Sequence, residues 1–303
     1  MSGTVINPLP TRSEQSAEES VAGASKIIQE RMEAFNRGDL EGLQNKHRDD
    51  ISEGNKKADY PTMIVDLPSK GKLYPPENPL SLGFVEMKFM TAKEEDILTT
   101  ESYIKKGVVL DKLFQSLIVT KINYNTMLIG DRDAIMMAAR IYGYGELYET
   151  KIQTPSGNTQ TVPINLNDIP HKVVDESLYS SGENKFFFKT TAGTNIEFHL
   201  LTNGDQNDIQ EILRKAKKPD ARDTQLTTRL YQMIDAIDGN TDRKFIKLFV
   251  ENEFRALDSR KFREYVNEIQ PGIDMDIDVV DEETGDSFRT SVAIGLDFFW
   301  TNV

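Results

Sequence analysis

A break in patterning at Asp59–Tyr60 divides the chain into two stretches with different prospects of folding. Residues 1–59 are rich in Ser, Glu, Asn, Lys and Arg and hold a single aromatic residue, Phe35. Such a stretch buries too little apolar surface to offset its chain entropy. From Tyr60 onward, apolar residues recur at strand and helix periods. The expectation is therefore a flexible or partner-bound N-terminal arm over 1–59, followed by a folded body. Within the arm, Ile27, Ile28, Met32 and Phe35, then Leu40 and Leu43, keep helical spacing with a break at Gly38. This pattern fits a transient helix in a tail. It also fits a helix that folds against a partner or a neighbouring subunit, and on that reading Ile28, Met32 and Phe35 are interface candidates.

In the body, Met63 to Leu67 reads as a strand stopped by Pro68, with a turn over Ser69 to Lys72. Leu82 to Met90 alternates as a second strand. Thr91 with Glu94 three residues on is a capping box, which predicts a helix from Ala92. A further helix fits Leu110 to Ile118. Asp131 is placed to cap another, with Ile135, Met136, Ala139 and Ile141 inside and Gly143 and Gly145 at its end. Two hairpins follow: Glu146–Thr154 with Thr161–Leu166, and Lys185–Thr190 with Asn195–Leu201. Asp205 opens a helical region with two or three helices between Asn207 and Ile269, separated near Pro219 and Gly239. A last hairpin joins Asp276–Asp281 to Phe288–Trp300. The fold class is α+β, mixed helices and short β-hairpins. Its divisions are an α+β domain over 60–145, a β-hairpin region over 146–202, and a helical segment closed by a hairpin over 203–303. A glycine turn followed by V-x-I-x-L occurs after both Gly157 and Gly285. It fits either a duplicated hairpin or two unrelated hairpins built from common β-formers.

Chemistry-bearing motifs are scarce. The chain has no cysteine, which removes disulfides, thiolate zinc sites, iron–sulfur clusters and cysteine nucleophiles together, and fits synthesis inside a cell. The three histidines, His47, His171 and His199, are scattered, with no His-x-x-x-His and no Gly-x-Ser-x-Gly elbow. Asp274, Asp276 and Asp278 alternate and Asp281 to Glu283 follow, but Val279 and Gly285 occupy the positions where a calcium loop needs Gly and Glu. A solvated, charge-protected strand edge accounts better for these carboxylates. Pro68 to Lys72 lacks a full phosphate loop and reads as a structural turn. No catalytic residue, cofactor or metal is assigned.

The net charge of −13 opposes a general nucleic-acid binder. No stretch approaches the roughly 20 apolar residues of a membrane span, and the first residues lack the basic-then-apolar order of a secretory signal. Arg214 to Lys218 is the one dense basic run. It is either a helix terminus or a docking patch for an acidic subunit, with Arg214, Lys217 and Lys218 as its candidates. Leu296 to Trp300 reads as an apolar strand ending in Phe298, Phe299 and the only tryptophan, Trp300. Alternation puts Phe299 on the face opposite Phe298 and Trp300, so all three are interface candidates, with Phe298 the one suited to core and Trp300 to a partner.

Together DLPSKGKLYP, MTAKEEDIL, LIGDRDAIMMAARIYGYG and GLDFFW, in this order from Tyr60 to Val303, resemble the baseplate hub or hub-assembly protein family of T-even-type contractile-tailed phages. The related proteins carry cysteine pairs in their glycine-turn hairpins, like small zinc ribbons. This chain has Thr154-Pro155-Ser156-Gly157 and Glu282-Glu283-Thr284-Gly285 there, so no zinc carries over. The resemblance implies a structural or assembly role in the central baseplate of the virion tail. The protein would be made in the host cytoplasm, and its partners would be other tail or baseplate proteins, with self-association also allowed. Two alternatives stand: a transient assembly chaperone absent from the finished particle, and a hydrolase using carboxylates between Asp274 and Glu283.

Overall fold

The computed structural model describes residues 29–34, 36–37, 39–54, 60–180, 182–216, 224–292 and 295–299. It is an α+β protein of helices and several small antiparallel sheets. Of the interface candidates, Ile28, Phe35, Lys217, Lys218 and Trp300 lie outside the described residues.

Strands β1 (Thr62–Asp66) and β2 (Phe84–Lys88) pair antiparallel, with Val65 opposite Val85. Pro68 ends β1 as its missing N–H requires. The turn after it is tight: a Cβ on Gly71 (φ +76°) would stand 2.3 Å from the Ser81 carbonyl oxygen, so no other residue fits. Helix α1 (Leu40–Gly54) belongs to the sequence's arm, yet the body itself holds it. Leu43 and Ala34 pack with Leu82 and Phe84, and the Arg48 guanidinium lies 4.8 Å from the Phe84 ring centre while pairing with Asp66. The expected boundary at Asp59 thus does not separate this helix from the body.

Helix α2 (Ala92–Thr99) starts at the expected capping box. Glu94 is fully buried, and it accepts from the Thr91 amide (2.9 Å), the Ser116 hydroxyl (2.6 Å) and the Lys88 ammonium (2.9 Å). Burial alone would raise its carboxyl, but these donors hold it down to about 2. Helices α3 (Glu101–Lys106) and α4 (Val109–Leu117) follow. Helix α5 (Ile129–Tyr144) buries Ile135, Met136 and Ala139, as the spacing predicts. Asp131 does not cap it. The N-cap is Leu128, and Asp131 sits fully buried in the first turn. Its carboxylate accepts from the Ser69 amide (2.9 Å), the Ser69 hydroxyl (2.7 Å) and the Tyr74 hydroxyl (2.6 Å). A carboxylate this deep needs such donors, and by taking them it ties the Pro68–Lys72 turn to α5.

Hairpin β3 (Leu147–Gln153) and β4 (Thr159–Asn165) forms where alternation placed it. The next hairpin, β5 (Phe186–Lys189) and β6 (Asn195–Phe198), gains a third strand that the sequence reading gave to helix: β7 (Ile234–Ile237). A four-residue apolar run at a helix end has no period of its own, so only its pairing to β6 defines it. Around β7, four helices rather than two or three lie between Asn203 and Ile269 among the described residues: α6 (Asn203–Ala216), α7 (Gln225–Met233), α8 (Arg243–Asn252) and α9 (Ala256–Ile269). The last hairpin pairs β8 (Asp276–Val280) with β9 (Ser287–Ser291). Leu296–Phe299 is a 3-10 turn, not the expected strand.

The segments over 60–145, 146–202 and 203–303 share one hydrophobic core that runs from Val65 to Phe299. Backbone contacts bind them closely. Ile129 donates to the Leu201 carbonyl (3.1 Å) and Asn203 to that of Met127 (2.7 Å). Gly130 meets Pro271 so closely that a Cβ there would fall 1.8 Å from the Pro271 oxygen.

Candidate functional site

An ionisable cluster surrounds His199, immediately after β6. Its Nδ1 lies 2.8 Å from Asp235 of β7 and its Nε2 lies 3.3 Å from Asp205 of α6. Asp205 also accepts from the Thr202 amide (2.8 Å) and hydroxyl (2.6 Å). Burial disfavours charge on the ring, but the hydrogen bonds to Asp205 and Asp235 push His199 up to about 9, and the same contacts hold Asp205 well below the usual carboxylate range. His199 and Asp235 themselves line an open cleft of about 510 Å³, together with Glu211, Tyr231 and Arg243. The arrangement resembles a catalytic dyad, yet both ring nitrogens already face carboxylates. Held from both sides, the ring joins β6, β7 and α6. Sequence reasoning missed it because Asp235 sits in the unanticipated strand; the His199-to-Asp205 spacing was the only local signal.

The other histidines are elsewhere. His47 lies in α1, where burial pushes it down, and the His171 backbone bridges to Ile273. Among the described residues, no group of three or more His, Cys, Asp or Glu side chains could hold a metal ion.

The acidic stretch divides in two. Asp276 and Asp278 are exposed on one face of β8, and Arg289 of β9 approaches Asp276 (3.4 Å) and Asp274 (3.7 Å). Asp281 departs from the solvated-edge reading. It is only 2% exposed, and its carboxylate accepts from the Glu283 amide (3.0 Å) and, in the other hairpin, the Ser156 amide (3.3 Å). Gln160 completes the contact, donating to the Val280 carbonyl (3.1 Å) and accepting from the Glu282 amide (3.2 Å). The two glycine-turn hairpins therefore meet turn to turn. Their V-x-I-x-L segments do not correspond: Val162 and Ile164 lie in β4, whereas Val292 follows the end of β9.

At the C-terminal end, Phe298 and Phe299 are both 1% exposed. Strand alternation does not apply here, because a 3-10 turn places neighbouring side chains about a third of a turn apart rather than on opposite faces. Phe298 packs edge-on against Tyr148 at 4.8 Å, and its carbonyl accepts from Arg140 Nε at 3.0 Å. Arg140 is fully buried in α5 and also donates to the Gly145 (2.9 Å) and Leu147 (3.2 Å) carbonyls. These residues are core in the folded chain. The candidates left at the surface are Met32, 48% exposed, and Arg214 on the last turn of α6. Leu248 and Phe187 are exposed as well and were not singled out by sequence. Leu248 sits on α8 opposite buried Ile246, Phe249 and Val250, a distinction that a helix with apolar residues on two faces does not reveal in sequence.

Residues 60–300 match a family model described as T4 bacteriophage base plate protein, a span well over half of the chain. No curated protein and no solved structure gives a significant match.

Proposed function

This chain belongs to the T4 bacteriophage base plate protein family, and on that premise we propose that it works in the central hub region of a contractile tail's baseplate. It acts there by binding other tail and baseplate proteins, with copies of itself among the allowed contacts, and not by turnover. The family match over residues 60–300 carries this reading. Two features of the chain support it. Both ring nitrogens of His199 are held by carboxylates that join three elements, and the net charge of −13 opposes direct contact with nucleic acid. Among the described residues, no helix is long and apolar enough to cross a membrane. The protein is made in the host cytoplasm and carried in the virion tail.

The test is a mass-spectrometric inventory of purified particles beside assembly intermediates from infected cells, with density for the chain located by electron microscopy. The chain should be present in finished baseplates and close to the tail axis. Presence in intermediates alone would make it a transient assembly factor, and peripheral density would remove it from the hub.

A further inference from the structure

A groove of about 550 Å³ runs between α7 and α9. Its floor is apolar: Leu201, Leu230, Met233 and Val266 are each less than a tenth exposed. Leu226 stands on its rim, 45% exposed. Two guanidiniums, Arg229 of α7 and Arg263 of α9, line it, and no acidic side chain does so among the described residues. That inverts the balance of the chain, which carries 49 acidic residues against 36 basic ones.

Neither arginine has a carboxylate partner among the described residues. Arg229 Nη1 donates to the neutral amide of Gln206 (3.0 Å), and Arg263 Nε to the Ser259 carbonyl of its own helix (3.3 Å). Arg229 is partly buried, and burial together with the nearby charge of Arg132 disfavours its cation. Asn267, which also lines the groove, accepts from Lys172 (2.9 Å), another cation with a neutral partner. A partly desolvated cation held only by neutral acceptors is stabilised when an anion arrives. The apolar floor beside it offers burial for one or two aliphatic or aromatic side chains.

We propose that the groove between α7 and α9 docks a segment of another baseplate protein in which apolar residues are flanked by Asp or Glu. The proposal rests on the baseplate reading above and adds the surface and the partner's chemistry. A two-fold contact between copies of this chain is disfavoured, because an isologous interface on this groove would set Arg229 and Arg263 against their own images. A nucleic acid is disfavoured by the chain's net charge and by the apolar floor.

The experiment places photoreactive p-benzoylphenylalanine at position 226 of the full-length chain, lets particles assemble in infected cells, and maps the cross-linked peptide. The expected product joins position 226 to a different baseplate protein, within a few residues of at least two carboxylates. Arg229→Gln with Arg263→Gln should lower its yield about tenfold or more, as loss of desolvated charge pairs does. Arg229→Lys with Arg263→Lys, which keeps both charges, should retain most of it, and circular dichroism should show both doubles folded. A cross-link to a second copy, to a neutral or basic segment, or to this chain's own Asp220–Asp223 stretch would overturn the proposal. So would a chain that is present in the particle but makes no cross-link, which leaves the baseplate reading intact. Absence of the chain from particles would overturn both.

Discussion

The β5–β6–β7 sheet under α9 and the paired hairpins β3–β4 and β8–β9 use the same short antiparallel strands, yet different forces hold them. In the sheet, Phe198 is fully buried and lies 4.7 Å from Phe262 and 5.7 Å from Phe186, ring centre to ring centre. Phe188 joins the same cluster, 5.4 Å from Phe262. In the hairpins, burial falls on alternate positions such as Tyr148, Ile152, Ile164 and Val279, and β9 has no buried residue. Their tips meet through Asp281 and Gln160, by hydrogen bonds. Apolar burial is additive over area and insensitive to direction; hydrogen bonds are local, directional and worth little net. The sheet should therefore fail with the whole molecule, and the hairpin tips should loosen while the rest stays folded.

The largest expected effect is in the sheet. Phe198→Ala removes a ring from the centre of an aromatic cluster that cannot collapse without moving α9. The cost should be about 3–5 kcal/mol, read as a fall of roughly 10 °C in the thermal midpoint. A loss below about 1 kcal/mol would break the comparison, because the cluster would then be no more sensitive than a surface.

The second effect tests the ionic end of the same sheet. His199 is raised from 6.5 to about 9 in the folded chain, so the folded state binds the proton more tightly than the unfolded one. Its contribution is fully present below pH 6.5 and is lost as pH rises through 9. Unfolding by denaturant should show a fall on the order of 2 kcal/mol across that window, which His199→Gln abolishes. A wild-type protein whose stability is flat from pH 6.5 to 9.5 would show instead that Asp205 and Asp235 hold the ring no more tightly than water does.

What the sequence made legible follows the same division. Local chemistry was readable: the Thr91–Glu94 capping box, the inner face of α5, and the stop at Pro68 all rest on residues within one turn of each other. The features that failed depend on distant partners. β7 exists because β6 offers it an edge. The Asp131 carboxylate reaches Ser69 and Tyr74 rather than capping its helix, and Phe298 with Phe299 can be buried because Arg140 anchors the chain that carries them. The candidate surface was barely legible. Arg229 and Arg263 carry no local motif, and only the packing of α7 beside α9 makes a groove of them.

The smallest expected effect lies at the hairpin tips and is the sharpest test of the contrast. Asp281 is buried, which opposes its charge, but the amides of Glu283, Ser156 and Thr284 outweigh this and hold its carboxyl below the ordinary value. Asp281→Asn keeps the size and removes one acceptor. Its amide hydrogens then face backbone N–H groups that previously donated to oxygen, a donor–donor conflict. Amide exchange at Ser156, Glu283 and Thr284 should speed up at least several-fold, because local opening no longer breaks charge-assisted bonds. The thermal midpoint should barely move, since the aromatic cluster under α9 is untouched. In wild type the bonds are complete above the carboxyl's unfolded value and weaken as pH falls through its lower folded value, so acid should reproduce the loss of protection, measured against each amide's intrinsic exchange rate at that pH. In Asp281→Asn the same amides should be poorly protected, relative to their intrinsic rates, at both ends of that range. A cooperative loss of stability as large as that of Phe198→Ala would mean that the tip contact is part of the core, and the two regions would not differ in kind.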